Sequence, residues 1–284
     1  MSNEQAPGPE SFGGKVVWIT GASSGIGEAL ARNFAGHGAR LVLSARREAE
    51  LQRVMSQCLL DGARAEDLLV LPLDIVDYEA MPAAVAAVLN TFSRIDLLIN
   101  NAGISQRSFC LETDMAVYRR LFEVDVLGQI ALTKQVLPIM VAQGAGRLVV
   151  TASVAGKVGV ALRTGYCAAK HAVMGFFDAL RTEVAQLGVG VSTVIPGFIR
   201  TDIASNALTG SGEAMGDSDP DIAGGMDAAL CAQFIVDGLA AGMDEINVGE
   251  GAEMDLLELK RSHPEQAFRL LEAMAQQISA DRAG

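Results

Sequence analysis

The chain has 284 residues, half of them apolar and only 5% aromatic, with 30 glycines. That length suits one large α/β domain with a substantial core, and that composition suits a tightly packed parallel sheet under helices. A formal charge of −12, a pI near 4.7 and the lack of a basic stripe argue against phosphate-backbone binding, so nucleic acid is not an expected partner.

Residues 1–12 are polar and proline-bearing and read as a flexible N-terminal tail, with neither a signal peptide nor an anchor. From 13 to 250, apolar β-rich runs at 15–20, 40–45, 68–73, 95–100, 147–152, 189–195 and 245–249 alternate with helical patterns. Those patterns lie near 25–37, 47–60, 78–92, 115–142, 164–187 and 226–241. The alternation predicts a single Rossmann-type, doubly wound parallel sheet of about seven strands, with helices on both faces and right-handed crossovers. The Gly-, Ser- and Asp-rich stretch around 203–225 has the composition of a mobile loop. Residues 251–284 read as a helical extension, in which Ala267, Leu270, Leu271, Met274 and Ile278 form an apolar stripe after Pro264. The stripe is expected to pack on the domain or on a second subunit. No apolar run reaches 18 residues, so the reading is cytoplasmic, with no membrane partner.

Four cysteines (Cys58, Cys110, Cys167, Cys231) and three histidines (His37, His171, His263) are scattered, with no metal-ligand spacing. No metal is expected. The cysteines read as buried residues, and Cys167 stands beside the tyrosine considered below.

The first strand pattern, Val16-Val17-Trp18-Ile19, runs into Thr20-Gly21-Ala22-Ser23-Ser24-Gly25-Ile26-Gly27 and then into a helical pattern at Ile26, Leu30 and Phe34. Strand, glycine turn and helix in that order are what a dinucleotide site demands. Glycines at 21, 25 and 27 allow a tight turn and close backbone approach to a pyrophosphate, which the helix N-terminus attracts. At the end of the second strand stands Ser44-Ala45-Arg46-Arg47. An NAD enzyme places an acid there for the ribose 2′-hydroxyl, whereas a guanidinium fork suits the 2′-phosphate of NADP. Arg46 and Arg47 therefore favour NADP (NADPH), with NAD the less favoured cofactor. The plainer alternative is that both arginines open a solvated helix.

Tyr166-Cys167-Ala168-Ala169-Lys170 puts a phenol and an ammonium on one helix face, one turn apart. A cation so placed favours a phenolate, and such a phenol exchanges a proton near neutrality, as reversible carbonyl reduction requires. Ser153 lies thirteen residues upstream at a strand end.

These residues resemble the short-chain dehydrogenase/reductases. The matches are Thr-Gly-x-x-x-Gly-x-Gly at 20–27, Asn-Asn-Ala-Gly at 100–103, Ser153, Tyr166 with Lys170, and Pro196-Gly197 followed by Thr201. The surroundings of Tyr166 look like the branch of hydroxysteroid-dehydrogenase-like reductases. The resemblance implies Tyr166 as acid/base, Ser153 as partner of the carbonyl oxygen, and Lys170 as the group that binds the nicotinamide ribose and tunes the phenol. It further implies cofactor contacts at Gly21, Ser23, Ser24, Gly25, Ile26 and Gly27, at Asp74 and Ile75 beside the adenine, and at Asn101, Ala102 and Gly103. Pro196, Gly197, Ile199 and Thr201 complete the set near the nicotinamide, and 203–225 becomes the substrate lid. Members usually pair through the helices near 115–142 and 164–187, so a homodimer or homotetramer is expected.

One departure stands out. Where members usually carry Asn in a Val-Asn-x-x-Gly context, this chain reads Val124-Asp125-Val126-Leu127-Gly128. Asp125 joins the catalytic set by position, and its carboxylate would add negative charge near Lys170. The resulting expectation is an NADP-dependent oxidoreductase moving a hydride between nicotinamide and a carbonyl or secondary alcohol. The alternatives are a catalytically weak dinucleotide-sensing protein on the same fold, and a sugar-nucleotide epimerase, which the glycine spacing disfavours. Ser105, Gln106, Val154, Gly156, Val158, Tyr166 and Phe198, with parts of the lid, would line an apolar pocket for a lipophilic small molecule. Arg107 and Arg163 could instead meet a carboxylate, but solvent is the expected place for both.

Overall fold

In the computed structural model the described residues are 11–217 and 219–283. Seven parallel strands form one sheet: β1 (Val16–Thr20), β2 (Arg40–Ser44), β3 (Leu68–Val70), β4 (Leu97–Asn100), β5 (Gly146–Thr151), β6 (Val189–Pro196) and β9 (Glu245–Val248). Their spatial order is β3-β2-β1-β4-β5-β6-β9. The order reverses beside β1, which lies between β2 and β4 (Val17 pairs with Leu41 and with Leu97). A crevice therefore opens beyond the carboxyl ends of these strands, where open α/β sheets bind ligands.

Residue alternation along β1 explains why its sequence is continuously apolar. Val17 and Ile19 enter one core layer, and Val16 and Trp18 enter the other. The first layer is closed by α1 (Gly25–Gly36), α2 (Glu48–Leu60) and α8 (Ala228–Ala240), through residues such as Phe34, Leu51 and Ile235. The second is closed by α3 (Met81–Phe92), α5 (Gly128–Gln143) and α6 (Thr164–Val184), through Val88, Val136 and Phe177. Trp18 is fully buried and donates its indole N–H to Ser44 Oγ at 2.9 Å, tying β1 to β2. Orphaning such a group costs about 1–3 kcal/mol.

Several elements differ from their sequence patterns. β3 is shorter than 68–73, although Leu71 and Leu73 still donate to Leu43 and Ala45, and Pro72 between them faces the open edge where no ladder N–H is needed. The stretch expected as one helix is α4 (Met115–Phe122), a π-helical turn (Glu123–Leu127) and then α5. The turn lets the chain pass β3's exit, where a Cβ on Gly128 would lie 2.5 Å from the Ile75 carbonyl oxygen. By length and composition this stretch could cross a membrane, but half of its apolar window is buried in the fold, as in a core helix. Phe12, assigned to the tail, is buried edge-on against Phe34 at 5.0 Å; residues 1–10 lie outside the described residues.

The lid region is pinned rather than free. Leu208 donates to the Ser105 carbonyl at 2.8 Å and accepts from Arg107 N–H at 2.9 Å. β7 (Ile199–Arg200) pairs with β8 (Met226–Asp227) at the base of the lid, and α7 (Pro220–Ala223) forms within it. After β9 come α9 (Ala252–Ser262) and α10 (Pro264–Ala283).

Candidate active site

A cleft of about 940 Å³ opens at the carboxyl ends of the strands. Its first wall is the glycine turn between β1 and α1. Gly21 has φ +67°, and a Cβ there would lie 2.9 Å from Ala102 Cα, so only glycine fits both backbone and neighbour. Gly27 packs α1 against that turn: its Cβ would stand 2.2 Å from Gly21's carbonyl oxygen. Gly27 does not line the cleft and serves it from behind, whereas Gly21, Ser23, Ser24, Gly25 and Ile26 do line it. Ser24 precedes α1 with extended backbone and its side chain makes no cap, which leaves the first amides of α1 for an incoming anion.

Thr20 fixes the opposite turn. Its hydroxyl donates to the Ile99 carbonyl at 3.2 Å and accepts from Asn101 and Ala102 N–H at 3.0 and 3.1 Å. Asn101 returns its side-chain N–H to the Thr20 carbonyl at 3.1 Å. Asn101, Ala102 and Gly103 thus brace β1 against β4 and line the cleft at the same time. Asp74 and Ile75 line it from the β3 exit, and Pro196, Gly197, Ile199 and Thr201 from the β6 exit.

Both arginines after β2 reach the cleft. Arg47 points its guanidinium at Ser23 and Ser24 Oγ, at 3.3 and 3.4 Å. Arg46 is exposed and, among the described residues, has no hydrogen-bond or ion-pair partner. Arg53, which sequence reading passed over, holds Glu28 at 2.7 Å and reaches the Ser23 carbonyl at 3.4 Å, supporting the glycine turn from α2. An open helix N-terminus and a glycine cradle fit a nicotinamide dinucleotide.

The proposed catalytic side chains share this cleft. Ser153 lies two residues beyond β5, capping the short turn that follows; its Oγ accepts the Ala155 N–H at 3.1 Å, which leaves its own hydrogen available to another acceptor. Tyr166 and Lys170, one turn apart on α6, are buried, with Nζ 5.6 Å from the phenol ring centre. Nζ donates to the Thr151 carbonyl at 3.1 Å and lies 3.4 Å from Asp125 Oδ2.

Asp125 does not touch the cleft. It sits fully buried in the π-helical turn, where Oδ1 accepts the Ile104 N–H at 2.8 Å and Oδ2 faces Lys170. The structure therefore places Asp125 behind Lys170 rather than on the cleft wall where the sequence expectation put it. Burial pushes its carboxyl up from the ordinary carboxylate range, against the opposing pull of Lys170 and the Ile104 N–H. Burial works to lower the Lys170 ammonium, but Asp125 and Tyr166 outweigh it and the net shift is upward.

On the substrate side Ser105, Val154, Tyr166 and Phe198 line the cleft as expected. Gln106, Gly156 and Val158 do not. Gln106 is buried, and its side-chain oxygen accepts the Gly165 N–H at 2.8 Å, fixing the first turn of α6 just before Tyr166. Gly156 lies beneath Met174 and the Lys170 backbone, and Val158 is fully enclosed. Arg107 and Arg163 are half-buried rather than free in solvent. Both pair with Asp219 of the lid, Arg163 at 2.8 Å, and line the cleft with it. Glu253 of α9 was also missed; it accepts the Phe198 N–H at 3.1 Å and braces the Pro196-Gly197 turn. No periodic pattern marks these residues.

The comparisons with known proteins agree with this geometry. The profile of the short chain dehydrogenase family matches residues 15–211. The human dehydrogenase/reductase SDR family member 7 is 45% identical over 237 residues, covering 83% of this chain and 70% of that protein. The mouse protein of the same name is 49% identical over 196 residues, 68% of this chain but only 58% of its own length. Among solved structures, a short chain dehydrogenase/reductase from Burkholderia phymatum in complex with NAD superposes with a TM-score of 0.79 at 28% identity, covering 90% of this chain and 96% of that one. The chain belongs to the short-chain dehydrogenase/reductase family and is an NAD(P)-dependent oxidoreductase.

Proposed function

We propose that the chain interconverts a lipophilic ketone and its secondary alcohol, with NADP(H) preferred over NAD(H). The observation that carries this reading is that Ser153, Tyr166 and Lys170 open onto the same cleft as the glycine turn and the arginines after β2. The nicotinamide, when bound, supplies or accepts the hydride. The protein's own share is proton transfer and charge stabilisation. In the direction of reduction, Ser153 Oγ donates a hydrogen bond to the carbonyl oxygen and Tyr166 Oη delivers its proton there, so charge developing on that oxygen meets prepared donors. Lys170, anchored to Thr151 and Asp125, stabilises the phenolate that results.

Preference for NADP is supported by the free guanidinium of Arg46 and by Ala45 where an acid would stand. Lipophilic specificity is supported by Val154, Val160, Leu162, Phe198, Ile203 and Leu208 along the cleft. The test is NADPH consumption across a panel of ketones, with Tyr166→Phe as partner variant. Turnover is expected in the wild type and should fall by at least about a hundredfold in Tyr166→Phe, with NADPH affinity nearly intact. A variant that keeps most of the rate would overturn the assignment of the proton donor.

A further inference from the structure

Helix α10 lies beyond the last residue of the family match and crosses the catalytic cleft. It is fastened near its ends. At the start, Ala267 is fully buried and Lys260 of α9 stacks its ammonium 4.0 Å over the Phe268 ring. At the far end, the Arg282 guanidinium lies 3.1 Å from Glu112 and 5.0 Å from the Phe109 ring. Between these fastenings Leu270, Leu271, Met274 and Ile278 line the same cleft as Tyr166.

A helix of a soluble domain turns its apolar stripe onto the core. This stripe instead borders open space, and Leu270 and Met274 remain 45% and 50% exposed. The span from 270 to 278 runs about 12 Å at 1.5 Å per residue. Met274, at its centre, is unbranched and adapts its shape to what it contacts. The stripe lines the same cleft as Leu256 and as Ile203 and Leu208 of the 203–225 segment.

Resting on the function proposed above, we propose that α10 is the specificity-determining wall for an extended aliphatic tail. The substrate class is then a long-chain carbonyl compound or alcohol, with its oxygen at Ser153 and Tyr166 and its chain laid along Leu270, Met274 and Ile278. A small polar carbonyl compound would leave that stripe wetted and gain nothing from it.

A homologous series of methyl ketones of increasing chain length, reduced with NADPH by the full chain, tests this directly. Each methylene that reaches the stripe should raise kcat/KM by up to about fourfold, the equivalent of about 0.8 kcal/mol per buried methylene. In Met274→Glu the long-to-short ratio of kcat/KM should fall at least tenfold. Ile278→Ser should lower it without introducing a charge, and Met274→Leu should preserve it. Leu60→Glu, at an exposed apolar position on α2, should leave the ratio at its wild-type value. A flat series in the wild type, or an equal slope in Met274→Glu, overturns the inference while the carbonyl chemistry stands. Absence of turnover with every ketone overturns that chemistry first.

Discussion

Asp125 and Lys170 form an ion pair at 3.4 Å that is closed to solvent, in a family whose usual residue at the first position is Asn. The carboxylate draws on the ammonium that Tyr166 also depends on. Replacing it with Asn removes a negative charge behind Lys170, and the ammonium then acts on the phenolate unopposed. An anion is favoured when negative charge leaves its surroundings. The acid/base limb of the kcat/KM profile of Asp125→Asn should therefore move to lower pH. Opposite charges about 4 Å apart interact by about 4 kcal/mol at an effective dielectric of 20, and one pH unit takes about 1.4 kcal/mol. Those figures describe the Asp125–Lys170 pair and bound the effect passed on to Tyr166, so a resolvable downward shift is expected. An unmoved profile would mean that the carboxyl is neutral in the working enzyme.

The two arginines after β2 make different predictions. Arg47 is engaged with Ser23 and Ser24, whereas Arg46 is free among the described residues. A charge-assisted hydrogen bond to a 2′-phosphate contributes about 1.5–3 kcal/mol. Arg46→Ala should thus weaken NADPH binding by roughly ten- to a hundredfold, at about 1.4 kcal/mol per decade, and leave NADH binding nearly unchanged. Titration of both cofactors into both proteins decides it. An unchanged ratio would return Arg46 to the role of a solvated helix opener.

The strands and the glycine turn were legible because their causes are local. A parallel strand buried on both faces must be continuously apolar, as β1 is, and a glycine forced by close approach, such as Gly27, recurs at fixed spacing. The pairing of Arg107 with Asp219 joins residues 112 apart and has no period, so the arginines were expected in solvent. The apolar stripe of α10 was visible too, but amphipathic spacing says which residues share a face and not what that face meets. Asp125 was visible as a departure from the family. Its charge near Lys170 followed from the resemblance, and only the fold put it out of the cleft.

Three cysteines are protected by the fold. Burial pushes the Cys58 and Cys231 thiols up to about 12 and raises Cys167 as well, while Cys110 is exposed. One thiol per native chain should react rapidly with a thiol-specific reagent at neutral pH, and all four after unfolding. Reaction of Cys167 at the rate of Cys110 would contradict this. The same shifts set a stability window. A thiol whose value is raised on folding holds its proton more tightly in the native state than in the unfolded one. Its contribution is complete below about 9, the unfolded value, and is lost as pH rises toward about 12. Denaturant midpoints should therefore fall across that interval, and less steeply in Cys58→Ala/Cys231→Ala.

Asp219 anchors the lid. Its side chain is only 2% exposed and accepts from Arg107, from Arg163 at 2.8 Å and from the Asp221 N–H at 3.1 Å. The arginines stand on fixed parts of the fold, after β4 and just before α6, so one carboxylate ties the lid to both. Ser153, Tyr166 and Lys170 do not touch it. Asp219→Ala should accordingly loosen the lid more than it damages the chemistry. Charge-assisted bonds contribute about 1.5–3 kcal/mol each, and partial exposure of the arginines moves the total toward the low end. A rise in KM of about tenfold is expected, with a smaller change in kcat and faster proteolytic cleavage within 203–225. Asp219→Asn, which can still accept the Asp221 N–H but carries no charge, should fall between the two. If KM and the cleavage pattern both stay at wild-type values, the lid is held by its backbone bridge at Leu208, and the buried carboxylate serves only to keep two guanidiniums compensated.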